Sequence, residues 1–188
     1  MITNSKQFLA ALALVALGST VAVAQTDFGS PIGSGGGLGG SVAPLGVPNA
    51  ENMPGGASRA LSGPAAAGLA TARASLMNAG TGGVTVTNPA GGTVTVPQAA
   101  ARGLGAVLGG NPTPAQVSAF TSALTGVPAG SSTALTNALR AFGANANFNT
   151  LTAAVRAYNA AIDALPAGAT PPPALLAVRN ALAAASRR

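Results

Sequence analysis

The sequence predicts a mainly α fold: a small up-and-down helical bundle with one β-hairpin, preceded by a signal peptide and a disordered Gly/Pro-rich segment. Three observations predict it. Apolar residues recur at steps of three and four in several stretches after residue 110, the period of a helix with one buried face. In GGVTVTNPAGGTVTVP, residues 82–97, valine alternates with threonine on both sides of a breaker-rich centre, which is the pattern of two strands joined by a turn. Prolines and glycines stand where such elements begin and stop, as helix-boundary chemistry requires.

The N-terminus reads as an export signal. Lys6 is the only charge before Asp27, residues 8–17 form the apolar run FLAALALVAL, and Ala22, Val23 and Ala24 follow. A basic start, a short apolar centre and small residues before a cleavage point make a secretory signal, with cleavage expected before Gln25. The run is too short to span a bilayer, so no transmembrane segment is expected after cleavage. The chain has no cysteine, which excludes disulfides and suits a bacterial periplasm or exterior. The expected division is therefore a signal peptide over 1–24, a flexible Gly/Pro/Ser-rich linker over 25–63, and a helical domain over 64–188 with the hairpin at 84–96.

The linker has no apolar period, and such composition cannot bury enough surface to offset its ordering entropy. Gly35, Gly37 and Gly40 match GxGxxG, but the dinucleotide fingerprint needs a strand before it and a helix after it, and neither pattern is there.

A first helix is expected from Pro64, which suits the opening helical position, to about Asn78, with Leu69, Leu76 and Met77 as a thin apolar stripe. In the hairpin, Val86 is placed opposite Val94. Val84, Val86, Val94 and Val96 then share a face that seeks a core, and Thr85, Thr87, Thr93 and Thr95 share one that seeks water. The five residues 88–92 make an acceptable connection. A short helix follows and fails at Gly109 and Gly110, and Gly103 and Gly105 weaken it by about 1 kcal/mol each relative to alanine. The Gly105/Gly109 spacing reads as helix breaking and not as a dimer face.

Four clearer helices come next. TPAQ, residues 113–116, is a capping box with proline at the first helical position, leading into Val117, Phe120 and Leu124. The next follows Pro128, capped by Ser131 or Ser132, with Leu135, Leu139 and Phe142. The third starts near Asn147 or Asn149 and carries Leu151, Val155, Tyr158, Ile162 and Leu165, the best amphipathic series in the chain. The fourth follows the prolines at 171–173, with Leu175, Val178 and Leu182 inward. Short connections favour antiparallel neighbours, so residues 111–186 read as an up-and-down four-helix unit. Its core is modest, and the hairpin valines and the first helix, or another subunit, are expected to complete it. No motif repeats at a fixed period.

The charge inventory excludes most chemistry. The whole chain has Lys+Arg 9, Asp+Glu 3 and no histidine. Past the signal there is no lysine, and the acids are Asp27, Glu51 and Asp163. General acid–base work needs histidine or a tuned carboxylate, a nucleophilic hydroxyl needs a base beside it, and metals need clustered Cys, His, Asp or Glu. No catalytic residue, cofactor-binding residue or metal ligand is therefore assigned, and an enzyme is not expected. The arginines are scattered, whereas nucleic acid needs a dense cationic face. No specific nucleic acid is expected, only weak attraction to anionic surfaces.

Two sets of residues are candidate contacts. Arg140, Arg156 and Arg179 each follow an inward residue and could border one groove for an anionic ligand, or cover the core edge with their stems. Asp163, near a helix C-terminus where an acid is disfavoured, is expected to pair with Arg179. Thr85, Thr87, Thr93 and Thr95 form the hairpin interaction edge; four threonines are too few for an ice or polysaccharide array. The function expected is an exported non-enzymatic structural or interaction protein of the bacterial envelope or exterior, acting by self-assembly or by docking a protein partner there. The alternative is a periplasmic or secreted carrier of a small apolar or amphipathic anionic ligand held between helices.

Overall fold

A computed structural model describes residues 44–46, 58–89 and 91–187. The signal, most of the linker and the GxGxxG match lie outside these residues. The elements run α1 (Gly63–Met77), β1 (Val84–Thr87), β2 (Thr93–Val96), α2 (Gln98–Val107), α3 (Pro114–Ser122), α4 (Ala129–Ala144), α5 (Phe148–Asp163) and α6 (Pro173–Ala185). The fold is mainly helical with one antiparallel hairpin, as the sequence predicts.

The hairpin has the expected register, Val86 opposite Val94 and Val84 opposite Val96. Val86 and Val96 are buried against α6 and all four threonines are exposed. The amide of Asn88 donates to the Gly92 carbonyl at 2.7 Å and closes the loop. The side-chain amide of Asn180 on α6 donates to the Thr87 carbonyl at 3.2 Å, which ties β1 to that helix.

Local chemistry starts the helices. Thr113 Oγ1 accepts from the Gln116 amide at 3.3 Å while Gln116 Oε1 accepts from the Thr113 amide at 2.8 Å. Asn147, not Asn149, caps α5: its Oδ1 accepts from the Thr150 amide at 2.9 Å. Asn147 is also buried, and the chain before α1 pairs with this corner, Leu61 donating to the Ala146 carbonyl at 2.8 Å. Replacing Asn147 by alanine is expected to cost about 0.5–2 kcal/mol, the range for losing an N-cap, read as a lowered urea midpoint. The cap expected at Ser131 or Ser132 is not used. Pro128 precedes the first helical residue, α4 begins at Ala129, and Ser132 Oγ donates back to the Ala129 carbonyl at 3.0 Å.

The four-helix reading of residues 111–186 needs correction. α3 packs chiefly on α2, α4 pairs with α5, and α6 packs on α1 and the hairpin. The centre is built by α2 and α6, whose buried residues include Ala100, Ala101, Leu104 and Val107 from α2 and Leu175, Val178, Ala181 and Leu182 from α6. The first helix and the hairpin valines complete the core, as the sequence predicts. Leu45 and Leu61, before α1, also join it.

Glycine makes this arrangement possible. A Cβ on Gly103 of α2 would stand 2.5 Å from the Gln116 carbonyl oxygen of α3, and one on Gly105 would stand 3.0 Å from Met77 Sδ of α1. The loss of helix propensity in α2 therefore brings two neighbouring helices to backbone range. Gly105 thus serves the α1–α2 seam and not only helix termination, whereas at Gly109 a Cβ would meet only the movable end of Arg73 at 2.8 Å and the Ala106 carbonyl at 3.1 Å. Met77, expected in the apolar stripe, lies over this seam and is 41% exposed.

Candidate functional site

The α1–α6 pair and β1 enclose a half-open groove with a volume of about 420 Å³. Its α1 wall is Pro64, Ala67, Thr71 and Ser75, advancing by three and four residues, and its α6 wall is Ala177, Ala181 and Ala184. Apart from Pro64 and Leu76 near the two ends of α1 and Asn180 on α6, the helix faces that line it carry alanine, glycine, threonine and serine. Val84, Thr85 and Val86 of β1 line it beside Asn180, which lies midway along the α6 wall, and Arg187 lies three residues beyond Ala184. From Ala177 to Ala184 the α6 face is about 10 Å long at 1.5 Å per residue. The lining is thus mainly apolar, with Thr71, Ser75, Thr85 and Asn180 as its neutral polar groups and Arg187 as its one guanidinium. No acidic side chain lines it.

The three arginines singled out from the sequence lie elsewhere. Arg140 on α4 and Arg156 on α5 are exposed, Arg179 on α6 is half-buried, and none lines this groove. Arg179 does not pair with Asp163: the carboxylate is exposed, and no ion pair joins the two among the described residues. Arg179 faces inward instead. Its Nε is buried without a hydrogen-bond partner, as is the hydroxyl of Tyr158 on α5. Burial pushes the Tyr158 phenol well above its ordinary value, and the Arg179 charge opposes this by a smaller amount. Tyr158 is core, as its place in the α5 stripe predicts.

Arg102 is structural. Its Nε donates to the Ala79 carbonyl at 3.2 Å, and Gln98 Nε2 donates to the same oxygen at 3.1 Å, so α2 holds the turn that follows α1.

Thr85 is the one hairpin threonine in the groove lining. The Asn88–Gly92 hydrogen bond fixes the alternation of the ladder. Residues 86/94 and 84/96 exchange hydrogen bonds, and the threonine pairs turn their amide and carbonyl groups outward. On β1 one of these outward groups, the Thr87 carbonyl, is taken by Asn180. β2 has no further strand beside it among the described residues.

The groove was not legible in the sequence because its residues carry no chemical signature. The available signal was negative: one face of residues 64–75 lacks any large side chain. Arg187 was visible as half of a terminal arginine pair, but nothing in the sequence aims it at α1.

Among the described residues, no helix is long and apolar enough to cross a membrane. Comparison with protein-family models, with curated proteins and with solved structures finds no match to this chain.

Proposed function

We propose that this is an exported, non-enzymatic binding protein of the bacterial envelope or exterior, and that it carries a small apolar or amphipathic anionic ligand in the groove between α1, β1 and α6. The observation that supports the reading is the groove itself. Its volume of about 420 Å³ falls within the range of small-molecule sites, which are mostly apolar with a few placed polar groups. Arg187 supplies the one formal charge of the lining, so an acidic head would lie against it and an apolar body along the alanines of α1 and α6. Export is supported by the basic, apolar and small-residue order of residues 1–24.

Native mass spectrometry of the mature protein from its source tests both parts. The expected result is a mass beginning at Gln25 with a bound small acid. Thr71→Trp, at an exposed groove position, is expected to abolish that retained mass while changing stability by no more than about 0.5 kcal/mol, as surface substitutions usually do. Retention unaffected by the tryptophan would overturn the site, and a secreted mass that includes residues 1–24 would overturn the export signal.

A second reading rests on the outward-turned hairpin. The exposed edge of β2, at Thr93 and Thr95, would pair with the same edge of a second copy, since unpaired strand edges template such contacts. A ligand-free oligomer in the same spectrum would favour self-assembly over the carrier.

A further inference from the structure

A long-range polar contact away from the groove joins residue 45 to residue 159. The Leu45 amide donates to Asn159 Oδ1 at 3.0 Å, and Asn159 Nδ2 donates to the Leu45 carbonyl at 2.9 Å. One carboxamide therefore satisfies both backbone polar groups of a single residue. Asparagine is suited to this because its side chain carries one acceptor and one amide donor group. The Leu45 side chain is 8% exposed and belongs to the core cluster, while Pro44 and Gly46 on either side are exposed. The segment is thus held by one apolar side chain and one paired amide, with a proline before it that restricts the backbone and a glycine after it that adds no bulk.

Nothing in this contact requires that the two partners belong to one chain. Eleven residues, 47–57, separate the segment from the next described residue, and so many can span up to about 36–40 Å. The same donors, acceptors and leucine socket would serve the same segment from another molecule. Covalent connection alone favours the chain's own copy, by raising the concentration of the segment beside its own site. Exchange of an identical element between protomers is a low-cost route to association.

We propose that the Asn159 face of α5 is an exchangeable docking site for an extended Pro–Leu–Gly segment. The chain fills it with its own residues 44–46, and a second copy's Pro44–Leu45–Gly46 fills it when molecules are crowded. This inference is independent of the groove, which involves neither Asn159 nor Leu45.

Two variants of the mature chain test it by complementation. Leu45→Asp breaks the segment and leaves the site. Asn159→Asp keeps the shape of the side chain but turns an acceptor toward the Leu45 carbonyl, so it breaks the site and leaves the segment. Each alone is expected to sediment as a monomer at about millimolar concentration. Their mixture is expected to form a one-to-one pair. A labelled peptide of residues 41–48, SVAPLGVP, is expected to bind the Leu45→Asp chain at least tenfold more tightly than the wild type, whose own segment competes. If Leu45→Asp fails to fold by circular dichroism, Leu45→Gly takes its place. No pair in the mixture, or peptide binding unchanged when Asn159→Asp is added to the Leu45 variant, would overturn the proposal. Ligand retention in the groove is unaffected by any of these results.

Discussion

Gly143→Ala is expected to destabilise the domain by about 3 kcal/mol, although alanine is the better helix former by about 0.5–1 kcal/mol. Gly143 lies in α4, where it meets the end of α2. A Cβ there would stand 2.5 Å from the Val107 carbonyl oxygen and 2.7 Å from both the Gly110 nitrogen and the Leu108 carbonyl carbon. All three are backbone atoms, so no rotamer change can clear the space and one helix must shift. Overpacking of this kind commonly costs 1–3 kcal/mol and at times more, by order of magnitude. The opposing strand of the contact is equally constrained: Gly110 has φ +82, and a Cβ on it would meet Ala144 at 2.7 Å. Gly130→Ala is the control. It lies in the same helix with nothing within 4 Å of its Cβ position, and it is expected to gain about 0.5 kcal/mol. Urea denaturation of the two variants should therefore move in opposite directions. Equal midpoint gains would mean that α4 and α2 do not meet at Gly143.

The Tyr158 substitutions should separate packing from polarity. Tyr158→Ala is expected to cost about 3–5 kcal/mol, the range for deleting a fully buried aromatic ring. Tyr158→Phe keeps the ring and removes a buried hydroxyl that has no hydrogen-bond partner. An unsatisfied buried group costs roughly 1–3 kcal/mol, so this variant is expected to be about 1 kcal/mol more stable than the wild type at neutral pH. The two differ again in base. The folded phenol is held above its ordinary value of about 10 by burial, so above that pH the unfolded chain loses the proton while the folded chain keeps it. The resulting stability is fully present below pH 10 and falls as pH rises, by up to about 1.4 kcal/mol per unit. The chain has one tyrosine and no cysteine, and past residue 24 it has no lysine, so no other side chain should mask the slope. Urea midpoints between pH 8 and 11 should decline for the wild type and stay level for Tyr158→Phe. A wild-type midpoint that holds constant to pH 11 would show that the phenol is solvated.

The parts of the fold visible in the sequence are those where one side-chain type has one local job. Thr113 and Gln116 cap a helix within three residues. The valines of the hairpin alternate at the period of a strand, and Leu151, Val155 and Tyr158 repeat at that of a helix. The central roles of α2 and α6 were hidden for a different reason. The buried face of α2 is largely alanine and glycine, residues whose burial leaves little trace in a hydrophobic period, and in α6 only the Leu175, Val178 and Leu182 stripe is visible beside its buried alanines. Gly103 looked like a flaw in a weak helix because its benefit depends on Gln116 and Phe120 arriving from α3. The Asn159–Leu45 contact joins residues 114 apart through an amide that would suit any exposed helical face. Ser132 was read as a cap because serine favours that role, whereas Pro128 already sets the entry to α4. The charge pairing of Asp163 with Arg179 failed because Arg179 turns toward Tyr158.

The seams built on Gly103 and Gly143 also bear on how this domain responds to temperature. Where backbone meets backbone, cohesion comes from many short-range dispersion contacts more than from large apolar side chains withdrawn from water. The heat-capacity increment of unfolding grows with the apolar surface released. Such seams add little to that increment, which therefore rests on the fully buried leucines and on Phe120, Phe142 and Tyr158.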